Sequence, residues 1–192
     1  MNSSVIIVSG LPRSGTSMMM KMLEAGGINI VADNIRKADD DNPKGYFEDE
    51  RVKKLKENNS WLNDNYHNMA IKVISLLLYN LPQTNFYKII FMERDIQEIL
   101  ASQRKMLERN NEPSDAVDDS TMARKFNEHL EKINKWLKDQ PNIDCIYVKY
   151  HDVLQKPSKY ADEIKEFLNL DINTDLMGKA VDQRLYRNKK ND

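Results

Sequence analysis

Residues 10–17 read GLPRSGTS, two glycines, a proline, an arginine and three hydroxyls within eight positions, separated only by Ser9 from the apolar run VIIV. A glycine loop that feeds a helix aims several backbone N–H groups and the positive end of the helix dipole at one anion. Thr16 and Ser17 add hydroxyl donors, and Arg13 adds a guanidinium able to make two parallel hydrogen bonds to phosphate-like oxygens. The spacing matches G-x-x-x-x-G-K-[ST] at every fixed position except the lysine, which is Thr16. NTP-cleaving loops use that lysine to neutralise charge between the β- and γ-phosphates, usually beside a metal ion. Its absence argues against ATP or GTP hydrolysis and also disfavours the alternative enzyme, a P-loop small-molecule kinase. The bland alternative is a tight strand-to-helix turn, which does not explain why so many anion-binding groups gather there.

A second cluster follows YKIIFM, which runs into Glu93 and Arg94 rather than a metal-holding aspartate. Positive charge at that strand end points to an anionic ligand and not to Mg²⁺, so no metal site is expected.

Alternating strands and helices must position these residues. Residues 5–9 form a continuous apolar run, the pattern of a strand buried on both faces of a parallel sheet. The spacing predicts a helix over 16–25, ending at Gly26 and Gly27, with Met18, Met19, Met20 and Met22 packed in the core. Further strands are expected over 69–74, 87–92 and 144–148, and helices over 48–58, 96–109, 121–138 and 158–168, with a short helical piece ending at Leu81 and Pro82. Asp95 is placed to cap the helix over 96–109, residues 111–120 read as a loop, and Lys53, Lys54 and Lys56 as a solvated helix face. Alternation of this kind argues for an α/β layer fold with a mainly parallel central sheet flanked by helices.

The 192 residues suit a single domain over 1–192 with one sizeable core, residues 183–192 forming a flexible tail or a segment that covers the ligand. With 29 Lys+Arg against 30 Asp+Glu, the formal charge is −1, so there is no global basic field for nucleic acid and any anion site must be local. The lone Cys145 rules out an internal disulfide and suits a reducing compartment, with burial in a strand as its expected fate. Residues 1–4 lack the positive region of a signal peptide, and the apolar stretch over 73–79 is too short to span a bilayer, so a soluble, cytoplasmic protein is expected.

PRSGTS after an apolar strand resembles the 5′-phosphosulfate loop of sulfotransferases that use 3′-phosphoadenosine-5′-phosphosulfate (PAPS), proteins of P-loop architecture with Lys or Arg at the position of Arg13. The family's second hallmark is an arginine at a strand end followed eight residues later by a serine, both on the 3′-phosphate. Arg94 and Ser102 stand at that spacing in RDIQEILAS. AIKVISLLLYNLP (70–82) is similar to the family's lysine-bearing strand and leucine-rich segment, and YHDVLQKPSKYADEIKEFLNL (150–170) to its late strand-to-helix segment, mostly a packing feature. The resemblance covers residues 5–170. It implies a P-loop NTPase-like three-layer fold and sulfuryl transfer from PAPS to a hydroxyl or amine, without a metal.

Site residues follow from the same resemblance. Pro12, Arg13, Ser14, Gly15, Thr16 and Ser17 are expected to hold the phosphosulfate, Arg94 and Ser102 the 3′-phosphate, and Lys72 to lie near the sulfonate. Arg184 and Arg187 can fold back onto the 3′-phosphate, or belong to a solvated tail. Arg13 and Lys72 suit stabilisation of the leaving charge. In cytosolic members a histidine follows two residues after the strand lysine, and here that position is Ile74. Other branches use a glutamate, which makes Glu48, in GYFE, the candidate base. Otherwise Glu48 only complements a helix dipole or caps a backbone N–H. His67, His129 and His151 are the other contenders, His67 at the wrong end of its strand. Tyr46, Phe47, Trp61 and Tyr66 are candidates for an acceptor pocket, or for core or surface. A nucleotide-binding protein without turnover stays open as a third class.

Overall fold

The computed structural model describes residues 4–33, 35, 45–109 and 118–182. At its centre lies β1 (Val5–Gly10), buried along its whole length, because a strand covered by helices on both faces has no side that meets water. β1 pairs with β3 (Ala70–Lys72) on one side and β4 (Tyr87–Glu93) on the other. With β2 (Ile30–Val31) and β5 (Ile143–Lys149) at the edges, the order is β2-β3-β1-β4-β5 and every pair is parallel.

The two-residue period of the strands sorts the core into two layers. Ile6 and Val8 of β1 and Ile90 and Met92 of β4 face α1 (Thr16–Ala25), α5 (Tyr150–Gln155), α6 (Pro157–Leu168) and α7 (Thr174–Lys179). Val5, Ile7, Ile89 and Phe91 face α2 (Glu50–Lys53), the 3₁₀ helix Ser75–Asn80 and α4 (Asp119–Lys138). Met19, Met20 and Met22 of α1 are fully buried in the first layer, so the methionine cluster is core; burial of each such side chain contributes about 1.5–3 kcal/mol. After β4 comes α3 (Ile96–Arg109), whose first turn is capped by the Asp95 carboxylate accepting from the Gln97 N–H at 2.8 Å. Asp118 likewise caps α4, accepting from the Thr121 N–H at 3.0 Å.

Some elements differ from the sequence reading. The helix expected over 48–58 shrinks to the four residues of α2, because Asp49 is its N-cap and the Asn58 carboxamide accepts from the Ser60 N–H and hydroxyl, a local turn that competes with helix. The segment expected as one helix over 158–168 is preceded by α5, with Pro157 opening α6 at a position where its missing N–H costs nothing. β2 and α7 carry too few residues to show a periodicity. Cys145 is half-buried rather than buried, since β5 is an edge strand. Most of the loop expected over 111–120 lies outside the described residues.

Candidate active site

Strand order reverses at β1, so the crevice beyond its C-terminal end is where an open parallel sheet places a ligand. The register pairs Val8 with Lys72 and Gly10 with Met92, which brings the glycine loop between the ends of β3 and β4.

The loop has little freedom of side-chain choice. A Cβ on Gly10 (φ +144°) would lie 2.5 Å from both the Met92 carbonyl and Ser14 Oγ. Arg13 has φ 69°, a left-handed conformation that costs a non-glycine residue about 1–3 kcal/mol and is typical of functional loops. Gly15 (φ 101°) occupies the N-cap of α1, and no side chain caps that helix, so its dipole end faces the loop. Ser9 Oγ and Ser14 Oγ are buried without a hydrogen-bond partner among the described residues. A buried hydroxyl left unsatisfied costs about 1–3 kcal/mol unless a ligand engages it. Together with Arg13, these groups fit a bound phosphate.

Arg13 and Ser102 meet across 89 residues, Arg13 Nε donating to Ser102 Oγ at 2.9 Å. Arg94 joins them, donating from NH1 to the Arg13 carbonyl at 3.1 Å and from Nε to Glu98 Oε2 at 2.9 Å. Both side chains of the Arg94–Glu98 pair are only 9% exposed. On the other flank, Lys72 Nζ donates to the Tyr46 carbonyl at 2.9 Å, to Glu48 Oε1 at 3.2 Å and to Ser17 Oγ at 3.3 Å. One continuous set of contacts therefore links Glu48, Lys72 and the start of α1, while another links Arg13, Ser102 and Arg94.

The sulfotransferase-domain family model matches residues 3–192. The chain belongs to the sulfotransferase family. Among solved structures, this chain is similar to mouse sulfotransferase SULT7A1 complexed with PAP (18% identity, TM-score 0.55, covering 92% of this chain and 61% of that one). It is also similar to the sulfotransferase domain of the Synechococcus PCC 7002 olefin synthase (16%, 0.54, 96% and 80%) and to that of the curacin biosynthetic pathway (13%, 0.52, 91% and 76%). The chain spans about three fifths of the mouse protein's length. A search of curated protein sequences returns no match.

Around Glu48 the chain is pinned on both sides. Phe47 turns with φ 52°, and the Glu48 carbonyl accepts from the Asp33 N–H at 3.0 Å. The Glu50 N–H donates to Asp33 Oδ2 at 2.7 Å. Next to it, Arg51 forks onto Asp49 (2.9 and 2.7 Å) and lies 4.3 Å above the Trp61 ring, with NH1 donating to the Tyr66 hydroxyl at 2.9 Å. The Arg51 guanidinium holds the Asp49 carboxyl below its ordinary range, and the carboxylate raises Arg51 in turn. Glu48 thus precedes a helix cap without being one; Asp49 has that role.

Most of the remaining sequence candidates have a definite place. His67 precedes β3 and so sits at the strand end opposite the loop. His129, on α4, shares a 2.9 Å hydrogen bond with Ser75 Oγ, and burial, with Lys132 nearby, lowers its pKa. His151 is exposed in the first turn of α5, 2.7 Å from Gln155 Nε2. The four aromatics are engaged within the fold: the ammonium of Lys72 lies 5.9 Å from the Tyr46 ring, Phe47 packs against the first core layer, and Trp61 and Tyr66 clasp Arg51. Arg184 and Arg187 lie outside the described residues.

Tyr150, read from sequence within a packing segment, lies at the site. Its ring is 4.6 Å from the Arg94 guanidinium, and a Cβ on Gly15 would run into it. Burial raises its phenol pKa, opposed by Arg94. The available sequence signal was a tyrosine placed directly after a strand's C-terminal end.

Proposed function

We propose that this sulfotransferase uses PAPS as its donor and transfers the sulfuryl group to a hydroxyl or amine of an acceptor still to be identified. The observation that carries the reading is the convergence of Arg13, Ser102 and Arg94 through two hydrogen bonds at the end of β1 and β4. The loop groups, two of them buried hydroxyls without partners, fit a phosphosulfate, and the mouse neighbour was solved with PAP. Bound PAPS supplies an activated sulfuryl group whose departure leaves negative charge on the 5′-phosphate.

This chain's residues hold and stabilise that donor. Arg13, Ser14, Gly15, Thr16 and Ser17 grip the phosphosulfate end, with Pro12 shaping the turn. Arg94 and Ser102 read the 3′-phosphate, and Tyr150 keeps the Arg94 guanidinium stacked. Arg13 and Lys72 face the developing charge as preorganised donors. Glu48, on its pinned backbone, takes the acceptor's proton. Arg184 and Arg187, outside the described residues, are further candidates for the 3′-phosphate within one domain over 1–192. No metal enters this scheme. Among the described residues no helix is long and apolar enough to cross a membrane, and we place the protein in the cytoplasm, where its single thiol stays reduced.

Calorimetric titration without Mg²⁺, with 3′,5′-adenosine bisphosphate (PAP) and separately with ATP, tests the donor class. Tight PAP binding that Ser102→Ala weakens, with ATP weak, is the expected result. Preferential Mg²⁺-dependent ATP binding would overturn the reading in favour of a kinase.

A further inference from the structure

Lys72 ends β3 with its side chain 9% exposed and three oxygens around its ammonium. An ammonium has three N–H donors and no acceptor. Tyr46, Glu48 and Ser17 therefore already engage its donors, and a further anionic oxygen must compete with them. The Tyr46 oxygen is backbone and the Ser17 hydroxyl is carried by α1. Of these three Glu48 is the charged one, and its carboxylate, at 3.2 Å, sits on rotatable bonds. While it accepts from Lys72, that oxygen has one lone-pair direction fewer for an acceptor's proton.

We infer that Lys72 is handed from Glu48 to the donor's sulfonate when the donor binds, so that the Lys72–Glu48 pair sets the preference for sulfonated donor over desulfonated product. This rests on the reading of the glycine loop as a PAPS site. The hand-over releases that Glu48 oxygen from Lys72 only once the donor is in place, which makes donor-first binding the productive order. The backbone beneath Glu48 survives the exchange because its supports do not pass through Lys72. They are the Asp33 N–H on the Glu48 carbonyl, the Asp33 carboxylate on the Glu50 N–H, and the Asp49–Arg51 fork stacked on Trp61.

The test is calorimetric binding of PAPS and of PAP to the full chain as wild type, Glu48→Gln, Lys72→Met and the double variant, with folding checked by circular dichroism. In the wild type, release of Glu48 opposes capture of the sulfonate, so Glu48→Gln tightens PAPS on the order of five- to tenfold. PAP, which has no sulfonate, changes less than about twofold. In the Lys72→Met background the Glu48→Gln gain disappears. Equal tightening of PAPS and PAP, no tightening of PAPS, or a gain that persists without Lys72 each overturns the hand-over, the last because it marks simple removal of a negative charge. Wild-type protein that binds neither ligand fails at the donor assignment itself, which is a different result. Should either single variant not fold, Glu48→Ala and Lys72→Ala make the same comparison.

Discussion

Replacing Arg94 removes two things at once, and the structure says how to separate them. Arg94 faces Glu98 at 2.9 Å with both side chains 9% exposed, and its guanidinium lies 4.6 Å from the Tyr150 ring. Removing one member of a fully buried pair costs about 3–5 kcal/mol; the residual exposure here lowers that share to about 2 kcal/mol, and the lost ring contact adds about 1 kcal/mol. For a chain of this size, about 3 kcal/mol lowers the melting temperature by roughly 6–12 °C. Arg94→Ala should therefore melt well below wild type and bind PAP poorly. In Arg94→Ala/Glu98→Gln the carboxylate no longer needs a cation, so most of the melting temperature returns, while PAP affinity stays about 10–100-fold down for want of a charge-assisted contact. Scanning calorimetry and PAP titration on the same preparations read both quantities. An Arg94→Ala variant melting within about 2 °C of wild type would refute the burial argument, and recovered PAP affinity in the double variant would refute the ligand role.

Three further expectations follow from local geometry. Gly15→Ala forces a Cβ into the Tyr150 ring at φ 101°, so it should destabilise by about 2–3 kcal/mol in a thermal melt; an unchanged melting temperature would show that the N-cap turn adapts freely. Arg51→Ala removes a half-exposed fork to Asp49 and uncovers Trp61, a loss of about 1–2 kcal/mol after solvent screening, and Trp61 emission should shift to longer wavelength. Because the Asp49 pKa is lowered in the fold, the wild-type share of this pair is present above the ordinary carboxylate value and fades as pH falls through the depressed one, and Arg51→Ala should abolish that part of the acid sensitivity. His129 has a folded pKa below its unfolded value of 6.5, so the unfolded chain binds more protons in between and stability should fall as pH drops below 6.5. Melting temperatures from pH 7.5 to 5 should decline more steeply for wild type than for His129→Gln, and parallel slopes would remove His129 as the cause.

Local signals made part of this protein legible. α1 and α3 occupy the residues expected, Thr16–Ala25 and Ile96–Arg109, because a glycine loop, a capping aspartate and an apolar stripe at helical spacing act within one or two turns of chain. The buried strands around β1 were legible for the same reason, since continuous apolar runs have few other solutions. β2, α2, α5 and α7 are short, and their existence depends on neighbours that the local pattern does not contain. The spacing of Arg94 and Ser102 suggested a shared ligand, yet it is the parallel register of β1 with β4 that puts Arg13 within 2.9 Å of Ser102. Glu48 was a candidate from the family resemblance and its place after a turn. Its approach to Lys72 depends on the left-handed turn at Phe47 and on the Asp33 contacts, long-range interactions that no nearby residue announces.

What the sequence determined by itself, then, was the glycine loop over residues 10–17 between a buried strand and a helix, and the alternation that makes a parallel sheet. Tertiary structure decided which side chains meet across 24, 81 and 89 residues, and it drew Tyr150 into the site. Hydrogen bonds and periodicity act over one helical turn, whereas contacts at such separations exist only after the sheet has closed the loops between them.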